Sequence, residues 1–436
     1  MKRLLAMALI AMTTVGFVGC GGASTETGAE DAATGTGASI KVQVEEAWLP
    51  YYESVKERVL AKNEGAQIDF ITIGSFDHLA IIDNTDPTNE DVADVFAYPL
   101  DRFDALSKNN VLGAIDAKGM AERVGGFKDY DTGIGGSLKV ENDYLGFPYN
   151  IETLIGYVNK ENATAKKVDL SKDIEFSELD HETLLAMVHD CWFGVGFANS
   201  AEFELLSNKD GKFESEATKS WADLDEKEKG LFESLFKYWK AHDTNKTDLW
   251  DKSAAGGYQD EAFNTGGSSA IRIDGPWAAP NLVERVGSEE NLEVVPLNKI
   301  TVNGNKLQHW KGGWALGANA RIEEDEAKLA LAQSFIEEIV NPEFAKDLFK
   351  HTGKILENVE PSAYEGIDAL NKKVIDATYE SYNSAIARPL FAEYGEVWGA
   401  WQNALLSWSS TQPANAEEAY KQVQASFEAM MGSIKK

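Results

Sequence analysis

The feature that most constrains the fold is a strand, a helix and a second strand in immediate succession. Residues 40–44 alternate apolar and polar side chains with period two, and residues 67–70 do the same before an apolar run to 73, so both predict strands. Between them, residues 51–60 carry apolar side chains at helical spacing, which predicts a helix. This order is typical of the start of an α/β fold.

The α/β pattern continues along the chain without an internal repeat. Residues 92–97 predict a buried third strand, and the apolar face of residues 329–339 predicts a helix that stops near Pro342. The polar stretches 160–177 and 207–228 predict solvated loops and helix faces. A chain of 436 residues exceeds the usual size of one core, so we expect two lobes.

The charge and the aromatic content of the chain limit the classes of function that it can have. The chain has 41 basic and 71 acidic residues, a net charge of −30, which repels phosphate backbones and makes nucleic acid an unsuitable partner. Its 11 Trp, 14 Tyr and 20 Phe are more than a core of this size requires. The excess predicts aromatic side chains at a binding surface.

The N-terminus predicts export. Lys2 and Arg3 precede an apolar run that is too short to span a bilayer, which is typical of a signal peptide over residues 1–20. The small residues before Cys20 resemble the lipobox of bacterial lipoproteins, in which this cysteine becomes lipidated. An ordinary cleaved signal peptide is the alternative. Residues 21–39 lack large apolar side chains and predict a flexible tether.

The usual signatures of catalysis and of metal binding are missing from the sequence. The six histidines form no HExxH pair, and there is no GxSxG, GxxxxGK[ST] or GxGxxG motif. The acidic run at 83–91 lacks the glycine and glutamate of a calcium loop. We therefore expect neither a metal nor a cofactor, and no enzymatic activity. Cys191 is interpreted as a small apolar filler, with a reactive thiol as the alternative.

Four separated segments resemble the extracellular solute-binding proteins of ABC sugar importers, in particular the maltose- and maltodextrin-binding group. Their order and spacing cover the chain from about residue 40 to 436. The segments are DVFAYPLDRF at 94–103, GFPYNIE at 146–152 with YVNK at 157–160, FN at 263–264 with IDGPW at 273–277, and RP at 388–389 with VW at 397–398 and NAL at 403–405.

The resemblance implies an α/β fold of two discontinuous lobes, with a hinge and a ligand cleft between them. The N-terminal lobe would take residues 40–149 and 317–360. The C-terminal lobe would take 150–316 and 361–436. A pyranose presents an apolar face and a rim of hydroxyls, so such a cleft needs flat aromatic rings together with charged or amide groups.

The resemblance also assigns site residues in the N-terminal lobe. Tyr98 would stack on a sugar, and Asp101 and Arg102 would bond its hydroxyls. Glu46 and Trp48 are further candidates, because the register of the family pattern is uncertain there. The alternatives are core packing for Tyr98 and a loop-holding salt bridge between Asp101 and Arg102.

Towards the hinge and the C-terminal lobe, the family pattern assigns Glu152 beside the hinge, the aromatic pair Trp192 and Phe193, and the stacking residues Trp277 and Trp398. Core packing is the alternative for each aromatic side chain. Trp310, Trp314 and Trp401 either extend this aromatic surface or pack. Two departures from the family pattern leave the identity of the ligand open. Ala392 replaces the second proline of the usual Pro-x-x-Pro, and Gln402 replaces an arginine.

The expected function is that of a lipid-anchored receptor on the extracellular face of the cytoplasmic membrane. It would capture an oligosaccharide by hinge closure, an α-1,4-glucan such as maltotriose or longer, and deliver it to the transmembrane subunits of an ABC permease. We expect a monomer. The alternatives are a receptor for a xylo-, manno- or galacto-oligosaccharide and a secreted glycosidase.

Overall fold

The computed structural model describes residue 35 and residues 37–434. The predicted signal peptide and the lipidation site at Cys20 lie outside the described residues, as does most of the predicted tether. At the end of that tether the amide of Gly35 donates to Asn63 Oδ1 over 3.0 Å, and the first strand begins at Ser39.

Eighteen strands are present in the described part of the chain. They are β1 (Ser39–Val44), β2 (Gln67–Thr72), β3 (Val95–Pro99), β4 (Lys139–Val140), β5 (Asp143–Tyr144), β6 (Phe147–Glu152), β7 (Ile155–Asn159), β8 (Ile174–Glu175), β9 (Leu184–Leu185), β10 (Ser207–Lys209), β11 (Lys212–Glu214), β12 (Ile271–Asp274), β13 (Leu292–Pro296), β14 (Ile300–Val302), β15 (Asn305–Lys306), β16 (Trp310–Ala318), β17 (Ile355–Leu356) and β18 (Ile386–Ala387).

Fifteen α-helices surround these strands in the same described residues. They are α1 (Leu49–Lys62), α2 (Ser75–Asn84), α3 (Phe103–Lys108), α4 (Ala117–Val124), α5 (Lys160–Ala165), α6 (Cys191–Ser200), α7 (Glu226–Asn245), α8 (Ala255–Phe263), α9 (Ala279–Val286), α10 (Glu326–Ile339), α11 (Ala345–Thr352), α12 (Ala369–Ser384), α13 (Gly395–Leu406), α14 (Trp408–Thr411) and α15 (Ala416–Ile434).

The first lobe is built on a seven-stranded sheet. Its order is β17-β6-β16-β3-β1-β2, with β18 paired to β16. β1 is parallel to β2 and β3, whereas β16 is antiparallel to β3 and β6. The predicted opening strand, helix and strand are confirmed as β1, α1 and β2. The apolar residues of this sheet and of α1, α10 and α11 form the first core.

The second lobe is built on a four-stranded sheet of order β13-β7-β12-β9 and a three-stranded sheet of order β15-β14-β8. Helices α6, α7, α13 and α15 supply about half of the remaining apolar side chains of the second core. α7 begins with a capping box in which Asp225 and Glu228 satisfy each other's backbone amides. The first core also takes in residues of α9, β13 and α12.

The chain crosses between the two sheets in ordered structure. β6 belongs to the first sheet and β7, which follows it directly, belongs to the four-stranded sheet. β16 begins at Trp310, which is buried in the second core, and continues into the first sheet through Trp314 and Leu316, which are buried in the first core. The two-lobed α/β prediction is therefore confirmed, while the predicted lobe boundaries stay predictions.

One strand begins later than the sequence indicates. Residues 92–97 predict the third strand, but β3 starts at Val95. Just before it, the Asp94 carboxylate accepts from the amide of Lys41 over 2.7 Å and pairs with Arg321 over 2.7 Å. This side chain therefore takes the place of a backbone bond at the start of the ladder. Val92 and Ala93 are nevertheless buried, as the apolar run predicts.

Candidate functional site

Two strands meet at the floor of the site, where each carries a functional side chain. Glu152 ends β6, and Trp314 lies on β16 beside it. The indole Nε1 of Trp314 donates to Glu152 Oε2 over 3.0 Å. Burial raises the pKa of Glu152, and the positive charges of Lys354 and Arg388 partly oppose that rise. The Glu152 side chain therefore interacts electrostatically with both cations at the crossing of the lobes.

Lys354 lies in an aromatic cage in the first lobe, called here the lysine cage. Its Nζ is 4.8 Å from the ring centroid of Trp48, 5.0 Å from that of Tyr149 and 4.4 Å from that of Trp314. It also donates to Asn150 Oδ1 over 3.3 Å. Burial lowers the pKa of Lys354 from 10.5 to about 8, against the opposing effect of Glu152 and Glu45. Aromatic faces attract a cation that has lost its water.

The turn before Lys354 explains how a lysine comes to be buried there. α11 ends at Thr352 and is capped by Gly353, whose φ of 67° lies in the left-handed region that favours glycine. β17 begins directly after Lys354 and pairs with β6, so Lys354 lies beside Asn150 and Tyr149 of that strand. The glycine therefore directs the lysine into the sheet edge.

Arg388 lies in a second cage, called here the arginine cage. Its guanidinium carbon is 5.1 Å from the ring centroid of Trp192, 5.5 Å from that of Trp310 and 5.7 Å from that of Trp398. Its Nη2 pairs with Asp101 Oδ2 over 2.9 Å. Asp101 follows β3 of the first sheet, whereas the three tryptophans belong to or pack against the second core. The pair therefore joins the two lobes.

Trp192 reaches this position because the residue of β16 beside it is a glycine, Gly312, which has no side chain. The amide of Trp192 is capped by the Asp190 carboxylate at the start of α6, over 2.9 Å. His309 Nε2 contacts the Trp192 carbonyl at 2.7 Å. A Cβ built at Gly312 would lie only 3.2 Å from Cη2 of the Trp192 ring. Gly312 thus allows the indole of the second lobe to approach the crossing strand.

Two large aromatic side chains remain exposed beside the cages. Phe76, near the start of α2, is 66% exposed and meets Trp314 edge-to-face with ring centroids 5.4 Å apart. Trp277 is 42% exposed, and its Cα lies 3.2 Å from where a Cβ on Gly353 would stand. Exposed aromatic rings beside buried charges are the combination that a sugar requires.

The structure brings together six of the residues assigned by resemblance. Trp48 forms one wall of the lysine cage, Glu152 accepts a hydrogen bond from Trp314 of the same cage, and Asp101, Trp192 and Trp398 contact Arg388. Trp277 lies against the turn that precedes Lys354. That they bind a sugar stays a prediction.

Tyr98 lies elsewhere, and its assignment as a stacking residue needs correction. Its side chain is 0% exposed in the first core. A Cβ on Gly146 would lie 2.2 Å from Tyr98 Oη, and one on Gly317 would lie 3.0 Å from its Cε1. Two glycines therefore form a slot that the ring fills, and no ring face is left for a sugar. Core packing, the alternative considered for Tyr98, is what the structure has.

Three other assigned residues are not drawn into the cages. Arg102 pairs with Asp83 of the same lobe, not with Asp101. Glu46 is exposed, whereas the neighbouring Glu45 is the residue that acts electrostatically on Lys354. Phe193 is half-buried against the second core. Ligand binding by Arg102, Glu46 and Phe193 stays a prediction.

Sequence reasoning missed the two cations and Phe76. In the sequence, Arg388 stands out only as part of a motif, and Lys354 does not stand out at all. The available signals were a lysine directly before the apolar pair at 355–356 and a phenylalanine in the otherwise polar turn at 74–77. Each signal is weak alone, because neither indicates which rings surround the side chain.

The structure shows whether Trp310, Trp314, Trp401 and Cys191 lie at the site or in a core. Trp310 and Trp314 are cage walls, while Trp401 is buried and donates to the Val188 carbonyl over 2.8 Å. Cys191 is buried, and burial raises the pKa of its thiol. A protonated, enclosed thiol agrees with the interpretation of Cys191 as an apolar filler.

Neither a candidate metal centre nor a candidate membrane-spanning helix occurs in the described residues. No group of three or more His, Cys, Asp or Glu side chains is arranged to hold a metal ion in residues 35 and 37–434. Over the same part of the chain, none of the helices has the length and apolar character needed to cross a bilayer.

Known proteins are similar to this chain in sequence and in fold. It is 25% identical over 366 residues to the maltodextrin-binding protein MdxE of Bacillus subtilis (strain 168), and the match covers 82% of each chain. No family model matches the chain.

Solved structures resemble it more in fold than in sequence. The maltose-binding periplasmic protein MalE of Listeria monocytogenes, in complex with maltose, matches with a TM-score of 0.68 and 17% identity, over 91% of this chain and 98% of that one. MalX of Streptococcus pneumoniae, in complex with maltopentaose, matches with a TM-score of 0.68 and 19% identity, over 89% and 99%. The predicted resemblance to maltose- and maltodextrin-binding proteins is therefore confirmed.

Proposed function

We propose that this chain is the substrate-binding receptor of an ABC importer and that it captures a maltodextrin between its lobes. The observation that carries the proposal is that the lysine cage and the arginine cage meet at Glu152. Its side chain accepts from Trp314 of the lysine cage, and a Cβ on its strand partner Gly312 would lie 3.2 Å from Trp192 of the arginine cage. Aromatic rings from both lobes and three charged side chains converge there. The names of the relatives, which bind maltose, maltopentaose or maltodextrin, support an α-1,4-glucan as the ligand.

The chemistry of the site suits a neutral oligosaccharide. Trp277, Trp398 and Phe76 offer ring surface for the carbon-bearing faces of the pyranoses. Asp101 and Glu152 offer carboxylate oxygens for the hydroxyls, and bonds to charged acceptors are stronger than those between neutral groups. The aromatic rings of the site would thus contact the apolar faces of the pyranoses, and its carboxylates would bind their hydroxyls.

Capture would work by closure of the two lobes. A sugar that touches both lobes favours the closed state, because only in that state are both sets of rings engaged. An affinity near micromolar, about −8 kcal/mol, would be sufficient for capture followed by release to a permease.

Calorimetry and thermal shift test the ligand. A panel of maltotriose, maltopentaose, xylotriose, mannotriose and a galacto-oligosaccharide is added to the purified protein. We expect the α-1,4-glucans to raise the melting temperature, because a ligand stabilises only the state that it binds. A rise produced only by a xylo-, manno- or galacto-oligosaccharide would reassign the receptor to that sugar.

The same protein is tested for hydrolysis with maltoheptaose. Incubation followed by chromatography should return the heptasaccharide unchanged, since we propose a receptor without catalytic activity. Shorter products that disappear in an E152Q variant would instead indicate a glycosidase that uses Glu152.

We further propose that Cys20 anchors the receptor by a lipid at the extracellular face of the cytoplasmic membrane. Expression of the full chain and of C20S in a Gram-positive host, followed by fractionation, tests this. The unaltered chain should be found with membranes and C20S in the medium. An equal distribution of both would favour an ordinary signal peptide.

A further inference from the structure

We infer that Arg388 is a positioning residue that latches the lobes together and aligns the tryptophans of the arginine cage. Its ion pair with Asp101 crosses from one lobe to the other, and its guanidinium holds Trp192, Trp310 and Trp398 in one group. The inference rests on the proposed function for its link to sugar binding, but the latch itself is a property of the protein without sugar.

The surroundings of the pair make it strong. The side chain of Arg388 is 5% exposed and that of Asp101 is 27% exposed. Charges that are removed from water attract each other more strongly than charges on the surface, and their loss leaves an unpaired charge behind. Arg102, the sequence neighbour of Asp101, is engaged by Asp83. Asp101 is therefore committed to Arg388.

The two members of the pair contact different cores, because the rings around Arg388 belong to or pack against the second core although β18 itself pairs with the crossing strand β16. Asp101 is preceded by Leu100, which is buried in the first core. Arg388 follows β18, which pairs with β16 at Trp310, a residue of the second core. When the lobes separate, this ion pair must break, so its strength adds to the stability of the closed arrangement.

The three tryptophans come from three separate elements. Trp192 lies on α6, Trp310 on β16 and Trp398 on α13. A guanidinium is flat and weakly hydrated, and it stacks on aromatic faces better than an ammonium does. Arg388 therefore sets the relative position of the rings, among them Trp398, which we propose as a stacking residue for the sugar.

Asp101 links the latch to the ligand. Its Oδ2 pairs with Arg388, while its Oδ1 is buried and has no hydrogen-bond partner among residues 35 and 37–434. A buried carboxylate oxygen without a partner is costly, and a sugar hydroxyl would satisfy it. One carboxylate would thus hold the lobes with one oxygen and the sugar with the other, so that binding and closure reinforce each other.

Small-angle scattering of the full protein without sugar tests the latch. We compare the unaltered protein with R388M, R388K and D101N, and use R123M as the matched control, because Arg123 pairs with Glu337 within the first lobe over 2.8 Å. The radius of gyration should increase in R388M and D101N and stay unchanged in R123M. R388K, which keeps the charge, should show a smaller increase.

Calorimetry with maltotriose tests the coupling to sugar. R388M should bind at least tenfold more weakly than the unaltered protein, and R123M should bind equally well. R388K should also lose affinity, because an ammonium does not align the rings, and its near-UV circular dichroism from tryptophan should change. If R388M does not fold, R388K and D101N carry the test.

A radius of gyration and an affinity in R388M and R388K equal to those of the unaltered protein would overturn the inference. If the unaltered protein binds no α-1,4-glucan, the proposed function fails. The scattering of the variants without sugar still decides the latch in that case, since it requires no ligand.

Discussion

The indole Nε1 of Trp314 donates a hydrogen bond to Oε2 of Glu152 over 3.0 Å. This contact joins β16 to β6 at the point where both strands leave the first sheet for the second lobe. It fixes the plane of the indole, which is the ring nearest to Lys354. A change at Glu152 should therefore alter the position of this ring in the site.

Replacement of Glu152 by Gln should separate binding from stability. Burial raises the pKa of Glu152, so its ionised form is disfavoured by folding at neutral pH, and a neutral amide removes that cost. The free energy of unfolding in urea should therefore stay equal or increase. Affinity for maltotriose should fall by about 1.5–3 kcal/mol, the usual contribution of a hydrogen bond to a charged group.

The control for Glu152 is Glu324→Gln, which alters an exposed glutamate of the same lobe. It should change neither quantity. A loss of stability in E152Q without a loss of affinity would mean that Glu152 is a structural residue only.

Trp277→Ala and Trp398→Ala should each weaken maltotriose binding by about 1–3 kcal/mol, because truncation of a large aromatic contact usually costs that much. Calorimetry measures the loss. Trp221→Ala is the control, since Trp221 packs on Tyr420 of α15, with ring centroids 5.7 Å apart. Unchanged affinity in both variants would remove these tryptophans from the site.

Phe76→Ala should also weaken binding, by about 1 kcal/mol, within the range observed for aromatic contacts beyond simple area burial. Phe76 is exposed above Trp314, so its removal leaves no cavity and should not change the melting temperature. Phe76→Tyr keeps the ring and should bind like the unaltered protein. Equal affinity in F76A would show that this ring does not contact the sugar.

Lys354→Met should stabilise the protein at neutral pH and lose this advantage in alkali. Burial lowers the pKa of Lys354 from 10.5 to about 8, so the charged lysine costs about 3 kcal/mol in the folded state below pH 8. The cost disappears as the pH rises from 8 to 10.5, because the folded state gives up the proton first.

The melting temperatures of K354M and of the unaltered protein, measured between pH 7 and 10, test this predicted pH dependence. The difference between them should shrink as the pH rises. Lys350→Met, at an exposed position on α11, should show no such trend. A difference that is constant over this range would contradict the lowered pKa.

The parts of the fold that were predictable are those set by local periodicity. The alternation in residues 40–44 and the helical spacing in 51–60 gave β1 and α1 with bounds close to those observed. The face of residues 329–339 gave α10, which ends at Ile339. These patterns can be recognised locally, because the positions that face the core recur every two residues in a strand and about every 3.6 residues in a helix.

The site was predictable only in part, because its chemistry depends on contacts between distant segments. A motif can bring Asp101 and Arg102 to attention, but it does not show that they have different partners, Arg388 and Asp83. In the same way, Tyr98 reads as a stacking residue until Gly146 and Gly317 are seen to enclose it. An aromatic residue on a strand looks alike in sequence whether it faces a core or a cleft.

β16 has a consequence for any attempt to divide the molecule. Its nine residues supply Trp310 to one cage and Trp314 to the other, and they complete the sheet of the first lobe. A cut between Trp310 and Trp314 would leave two fragments, neither of which contains all the rings of either cage. Such halves, when produced together, should be soluble only as a reassembled pair.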